Sequence, residues 1–163
     1  MNGGKITVLL VAAEPELRRS LRVLVAAQSG VNLVGEAADL ETAFTLAAQH
    51  RPELILLDAD LPGLPGPEVI PRFQSLAPAG RILPLGLHVD RRFLRPWLKA
   101  GAAGYLIKYN AFEELSTAIG TLAAGRNYLS PSAALELAKD PQSEQPAGGR
   151  TGTPKIYGSP KEE

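Results

Sequence analysis

The sequence predicts an α/β fold, a doubly wound five-stranded parallel sheet with helices on both faces, on three observations. Five short apolar runs lack polar alternation, the segments between them carry a helical period, and the few polar groups of chemical interest fall just after the runs. Ile6 to Val11 (ITVLLV) is β-branched and Leu-rich, as a strand covered on both faces requires. The next segment places Leu17, Leu21 and Leu24 on one helical face, with Arg18, Arg19 and Arg22 opposite and Pro15 suited to the first turn. Val31 to Gly35 is the second strand, and Leu40, Ala43, Phe44 and Ala47 repeat the i, i+3, i+4, i+7 pattern after it. Leu54 to Leu57, Ile82 to Leu85 and Tyr105 to Ile107 are the remaining strands, and Leu115, Ala118, Ile119 and Leu122 mark the fifth helix. Pro84 within the fourth run predicts a bulge or shortened strand, because proline forfeits a ladder hydrogen bond. Pro71 and Pro96 predict that the third and fourth helices start late or bend. Past Tyr128 the period fades. Pro131 to Ala138 reads as a short helix, and Lys139 to Glu163, rich in Pro, Gly, Ser and charge, as a flexible linker or tail.

Composition excludes several classes of function. The 163 residues are 45% apolar and 21% charged, in the range of one globular domain with an appendage. Seventeen Lys and Arg balance seventeen Asp and Glu, so nothing favours global capture of nucleic acid, and no direct nucleic-acid binding by this chain is expected. Without cysteine there are no disulfides, thiolate metal sites or thiol nucleophiles. No apolar stretch approaches the roughly twenty residues that cross a bilayer, so a cytoplasmic protein with no membrane partner is expected. The glycines of AGAAGYLIK lack the GK[ST] ending of a phosphate-binding loop, and neither GxSxG nor HExxH occurs, so the chain does not read as an enzyme.

In a doubly wound sheet the ligand crevice lies beyond the carboxyl ends of the strands. Those ends carry Ala12, Ala13 and Glu14, then Asp58 and Asp60, then Gly86, then Lys108. The stretches VLLVAAEP, VGEAADLETAFTLAAQHRPELILLDADLPGLPGPEVI, HVD, AGAAGYLIK and AAGRNYLSP resemble response-regulator receiver domains, in particular those of NarL/LuxR-type transcriptional regulators, over about residues 5–132. The resemblance implies strand order 2-1-3-4-5 and a two-component signalling role. It matches Asp58 to the aspartate that accepts a phosphoryl group from a sensor histidine kinase, and Lys108 to the lysine that pairs with that group. Two acids that hold Mg²⁺ fall on Ala12 and Ala13, and the Thr or Ser that bonds the phosphoryl group falls on Gly86. The aromatic coupled to that hydroxyl is matched by Tyr105, which is expected to hold one orientation and fill the space at Gly86.

Phosphoryl transfer depends on positioning and charge stabilisation, so the sequence predicts a degenerate receiver that needs no cofactor and acts through a protein or dimer surface. Two other readings stay open. Glu14 or Asp60 supplies metal ligation and Asp58 is a slow phosphoacceptor, with Mg²⁺ as cofactor. Alternatively, the space at Ala12, Ala13 and Gly86 admits a small molecule that moves Tyr105. Without a metal, Asp58 and Lys108 are expected to form an ion pair of little worth to stability. Arg91, Arg92, Arg95, Trp97 and Lys99 make the fourth helix a candidate partner surface, and a homodimer through the fourth helix, fifth strand and fifth helix is expected. His50 reads as a helix-end cation and His88 as a histidine without a chemical role. The closing Ser159-Pro160-Lys161-Glu162-Glu163 resembles the opening helix of a helix-turn-helix domain, so the chain reads as a receiver piece of a longer DNA-binding regulator.

Overall fold

A computed structural model describes residues 4–139. The linker reading of 140–163 and the closing SPKEE match lie outside the described residues. The elements alternate as β1 (Ile6–Val11), α1 (Pro15–Ala26), β2 (Val31–Ala37), α2 (Leu40–His50), β3 (Leu54–Asp58), α3 (Val69–Leu76), β4 (Arg81–Gly86), α4 (Arg91–Lys99), β5 (Gly104–Ile107) and α5 (Ala111–Ala123). A 3₁₀ turn (Lys108–Asn110) joins the last two, and β6 (Tyr128–Leu129) and α6 (Pro131–Ala138) follow. The sheet is parallel throughout with order β2-β1-β3-β4-β5-β6, one short strand more than the sequence predicts. Two residues have no readable period, so β6 was invisible to a pattern argument.

The strict division of each strand's side chains builds the two faces. Leu9, Val11, Ile55 and Leu57 pack with Ala43, Ala47, Phe73, Leu94 and Trp97 beneath α2, α3 and α4. Their neighbours Val8, Leu10, Leu54 and Leu56 pack with Leu21, Val25, Leu115 and Leu122 beneath α1 and α5. Ala133 of α6 is fully buried and Leu137 packs on the same core as Trp97. The packed unit therefore runs past residue 132, the boundary drawn from sequence.

Local chemistry sets the ends. Asp39 Oδ1 accepts from the Thr42 amide at 2.8 Å and starts α2, and Asp90 Oδ1 accepts from the Arg92 amide at 2.7 Å and starts α4. Pro71 lies in the first turn of α3, where its missing N–H leaves no gap in the helix, whereas Pro96 is tolerated inside a continuous α4. Pro84 makes no bulge against β3, with which β4 pairs residue for residue. Its effect is on the other side, where pairing with β5 spans only Leu85–Leu106 and Gly86–Ile107. At Gly104 (φ +153°) a side chain would run into the Tyr128 backbone, so glycine is what lets β6 approach β5.

Candidate functional site

The carboxyl ends of β1, β3, β4 and β5 meet at one crevice. Asp58 closes β3, where the ladder holds its backbone, and only 6% of its surface is exposed. Lys108 follows β5, and its Nζ lies 2.7 Å from Asp58 Oδ1 and 3.0 Å from Asp60 Oδ2. The Asp60 amide donates to Asp58 Oδ1 at 2.8 Å, so the two acids and the lysine form one cluster. Burial works against the Lys108 charge, but the bonds to Asp58 and Asp60 outweigh it and hold the ammonium above its ordinary pKa. Asp58 and Lys108 form the ion pair expected at the crevice, with both side chains largely buried. Its Coulomb gain is offset by desolvation, yet removing one partner alone would strand a buried charge.

Ala12 is fully buried and Ala13 partly so; neither offers a side-chain oxygen. Glu14 is exposed at the N-cap of α1, with no capping bond from its side chain. Among the described residues no three Asp, Glu, His or Cys side chains come together in a way that would hold a metal ion. The donors at the crevice are thus Asp58 and Asp60, and Lys108 already holds both. This set does not fit the Mg²⁺ site that the resemblance implies, because Mg²⁺ needs several converging oxygen ligands, only two carboxylates of the described residues face the crevice, and Lys108 takes one oxygen of each.

Arg18 is a feature the sequence reading placed on the solvent face of α1. Its Nη1 donates to the carbonyls of Ala12 at 2.8 Å and Ala13 at 3.2 Å, and its Nε lies 3.6 Å from Glu36 Oε1. The available signal was its position one turn into α1, since helical side chains lean back toward the N-terminus and so toward the end of β1.

Tyr105 is fully buried, and its ring lies over Gly86 so closely that a Cβ there would overlap the phenol oxygen and come within 2.8 Å of Cζ. Phe93 meets the ring edge-on at 6.1 Å. The phenol oxygen has no hydrogen-bond partner among the described residues. Burial, reinforced by the charges of Asp60 and Asp58, pushes its pKa far above the ordinary value, against a smaller opposing effect of the His88 backbone. The side chain thus fills the space at Gly86, as expected from the sequence.

The fourth helix departs from expectation. Arg92, Arg95 and Lys99 are exposed, but Arg91 and Trp97 are each only 1% exposed and cannot be contact residues of an open face. Trp97 is core beneath α4, and the Arg91 guanidinium donates to the Lys139 carbonyl at the end of α6, which packs on α4 and β5. Ser130 anchors that segment. It is fully buried, accepts from the Ile107 amide at 2.8 Å and donates to Glu114 Oε1 at 2.7 Å, to which the Tyr128 hydroxyl also donates. His50 is the last residue of α2, and His88 is exposed beside Phe93.

The family of response regulator receiver domains matches residues 8–120. This chain belongs to that family. It is 34% identical over 132 residues to the nitrate/nitrite response regulator protein NarL of Escherichia coli, covering 81% of this chain and 61% of that protein. It is 31% identical over 133 residues to the response regulator GacA of Pseudomonas aeruginosa, covering 82% and 62%. Among solved structures, a two-component response regulator of the LuxR family from Aurantimonas sp. SI85-9A1 superposes with a TM-score of 0.77 at 34% identity, over 82% of this chain and 96% of that one. The receiver domain of the putative response regulator NarL from Mycobacterium tuberculosis does so at 0.68 and 31%, over 75% and 98%. The chain spans about three fifths of the length of the curated relatives it matches. It is a receiver domain of two-component signalling with NarL/LuxR-type relatives. No helix of the described residues is long and apolar enough to cross a membrane.

Proposed function

We propose that this receiver works in one fixed state, through a protein surface, without Mg²⁺-dependent phosphorylation of Asp58. The observation that carries the reading is the donor set at the crevice. Ala12 and Ala13 stand where the metal's acids belong, and the single ammonium of Lys108 pairs with both Asp58 and Asp60. An incoming phosphoryl group would have to approach a buried anion with no divalent cation to offset the charge that builds up, which removes the main source of rate in such transfers.

The output side agrees. With no hydroxyl at Gly86 to respond to an aspartyl phosphate, and with Tyr105 seated in the space, the β4–β5 region has no group through which occupancy of Asp58 is relayed. A fixed surface in a NarL/LuxR-type regulator would then be governed by partners or by the amount of protein, with a second copy as the simplest partner. In a longer chain carrying a DNA-binding domain, the receiver would set dimer geometry and the other domain would read DNA.

The test is incubation of the full chain with Mg²⁺ and a small phosphodonor such as acetyl phosphate, followed by intact-mass measurement. No added phosphoryl mass on the wild-type chain is expected. Metal-dependent phosphorylation that disappears in Asp58→Asn would overturn the proposal in favour of a phosphoacceptor with substituted ligands, and would make a sensor histidine kinase the natural partner.

A further inference from the structure

α4 begins with the wrong charge for its own dipole. Its first turn carries Arg91 and Arg92 and no acid, whereas the amino end of a helix favours an anion. Arg92 belongs to the N-cap, since its amide and guanidinium both bond Asp90. Arg91 is only 1% exposed, and a buried guanidinium needs acceptors to offset its lost hydration. Its Nη1 donates to the Lys139 carbonyl at the carboxyl end of α6. That end is the negative pole of α6, and the last carbonyls of a helix have no partner within it. A cation misplaced for α4 is therefore well placed for α6.

The other end of α6 is held as well. Ser130, fully buried at the N-cap, bonds the Ile107 amide and Glu114. Between the ends, Ala133 is fully buried and Leu137 packs on the core that contains Trp97. Eight residues make too short a helix to persist in water unaided, so these contacts give α6 its place. Anchors at residues 130 and 139 lie roughly 13 Å apart along the axis, and two points at that spacing fix a direction where one would leave a pivot.

We infer that Arg91 is a clamp on the carboxyl end of α6, so that the chain leaves the receiver from one fixed place and direction beside α4. With the clamp closed, α4 and α6 move as one body, and the receiver governs what it is joined to through the placement of that exit point. The contact involves neither Asp58 nor Lys108, so the clamp goes beyond the fixed-state reading and does not depend on it.

The chain has no cysteine, so Ser116→Cys on the exposed side of α5 and Ala138→Cys on the exposed side of α6 take two nitroxide labels. Double electron–electron resonance on the full chain then reads the distance between them. One narrow distribution is expected with Arg91 in place, and a broad one in Arg91→Gln. In that variant α6 amides should exchange about tenfold faster or more, the factor carried by one hydrogen bond to a charged group, while β1 and α5 amides keep their rates. Gln carries no charge, so the substitution strands no buried ion. Lys139→Ala is the control. The acceptor is the backbone carbonyl and the Lys139 side chain turns to Glu136, so the distribution should stay narrow. A broad distribution with Arg91 in place, a narrow one in Arg91→Gln with α6 exchange unchanged, or a Lys139→Ala effect as large as that of Arg91→Gln would each overturn the clamp. Faster exchange throughout the domain in Arg91→Gln, or its failure to fold, would overturn it too, by making Arg91 a general support of the core.

Discussion

Replacing Gly86 by alanine tests the seat of Tyr105. The new methyl overlaps the phenol oxygen, and β4 cannot retreat because Leu85 and Gly86 are paired with Asp58 of β3 and Ile107 of β5. The ring must leave. Its lost burial costs about 2 kcal/mol. Returning the unpartnered hydroxyl to water gives back about 1 kcal/mol, and the narrower unfolded ensemble of alanine gives roughly 0.5–1 kcal/mol. The net change in stability by urea denaturation should therefore lie within about 1 kcal/mol of zero, although a fully buried side chain has been displaced. The displacement itself is large. Tyr105 ring resonances should shift, and its phenol, held protonated far above the ordinary range by burial, should titrate near the unperturbed value of about 10. Unchanged Tyr105 resonances with the phenol still protonated above that value, or a loss well beyond about 3 kcal/mol as for unrelieved overpacking, would refute the reasoning.

Three further outcomes follow from the same geometry. Lys108→Met strands Asp58 beside Asp60 and should destabilise the fold by about 1–3 kcal/mol, less than for a fully enclosed pair because Lys108 keeps some exposure; Asp58→Asn in the same chain should recover part of it in a double-mutant cycle. Ser130→Ala leaves the buried Ile107 amide without an acceptor and should cost about 1–3 kcal/mol by chemical denaturation, with faster amide exchange in β6 and α6. The Asp90 carboxyl, bonded by the Arg92 side chain and amide, is lowered to about 2. Its folded value lies below its unfolded one, so its contribution is complete above the ordinary carboxylate pKa and is lost as pH falls toward 2; amide exchange at the start of α4 should accelerate across that window, and not in Asp90→Asn.

The fold was legible because each strand between α/β layers must be apolar on both faces, and each helix must present one apolar stripe. ITVLLV and LILL could hardly be anything else, and the helical heptads of α1, α2 and α5 fixed the crossovers. The crevice was legible too, since strand ends converge by topology and Asp58, Asp60, Lys108 and Gly86 each follow a run. What stayed hidden depends on contacts between segments distant in sequence. Ser130, Glu114 and Tyr128 carry no pattern that announces a shared hydrogen-bond network, and a two-residue β6 has no period. Arg91 looked like surface because its burial depends on α6, which packs on α4 and takes its guanidinium at the Lys139 carbonyl, whereas Trp97 shares the core-facing side of α4 with Leu94. Arg18 was misplaced for the opposite reason, a side chain on the polar stripe that bends back to bind the β1 end.

The central claim, that the crevice is closed to metal-dependent activation, is tested most directly by following the amide resonances of Asp58, Tyr105 and α4 through a titration with Mg²⁺ and then beryllofluoride. The account predicts no saturable shift at any of them. Saturable Mg²⁺-dependent shifts that spread from Asp58 through Tyr105 to α4 would contradict it.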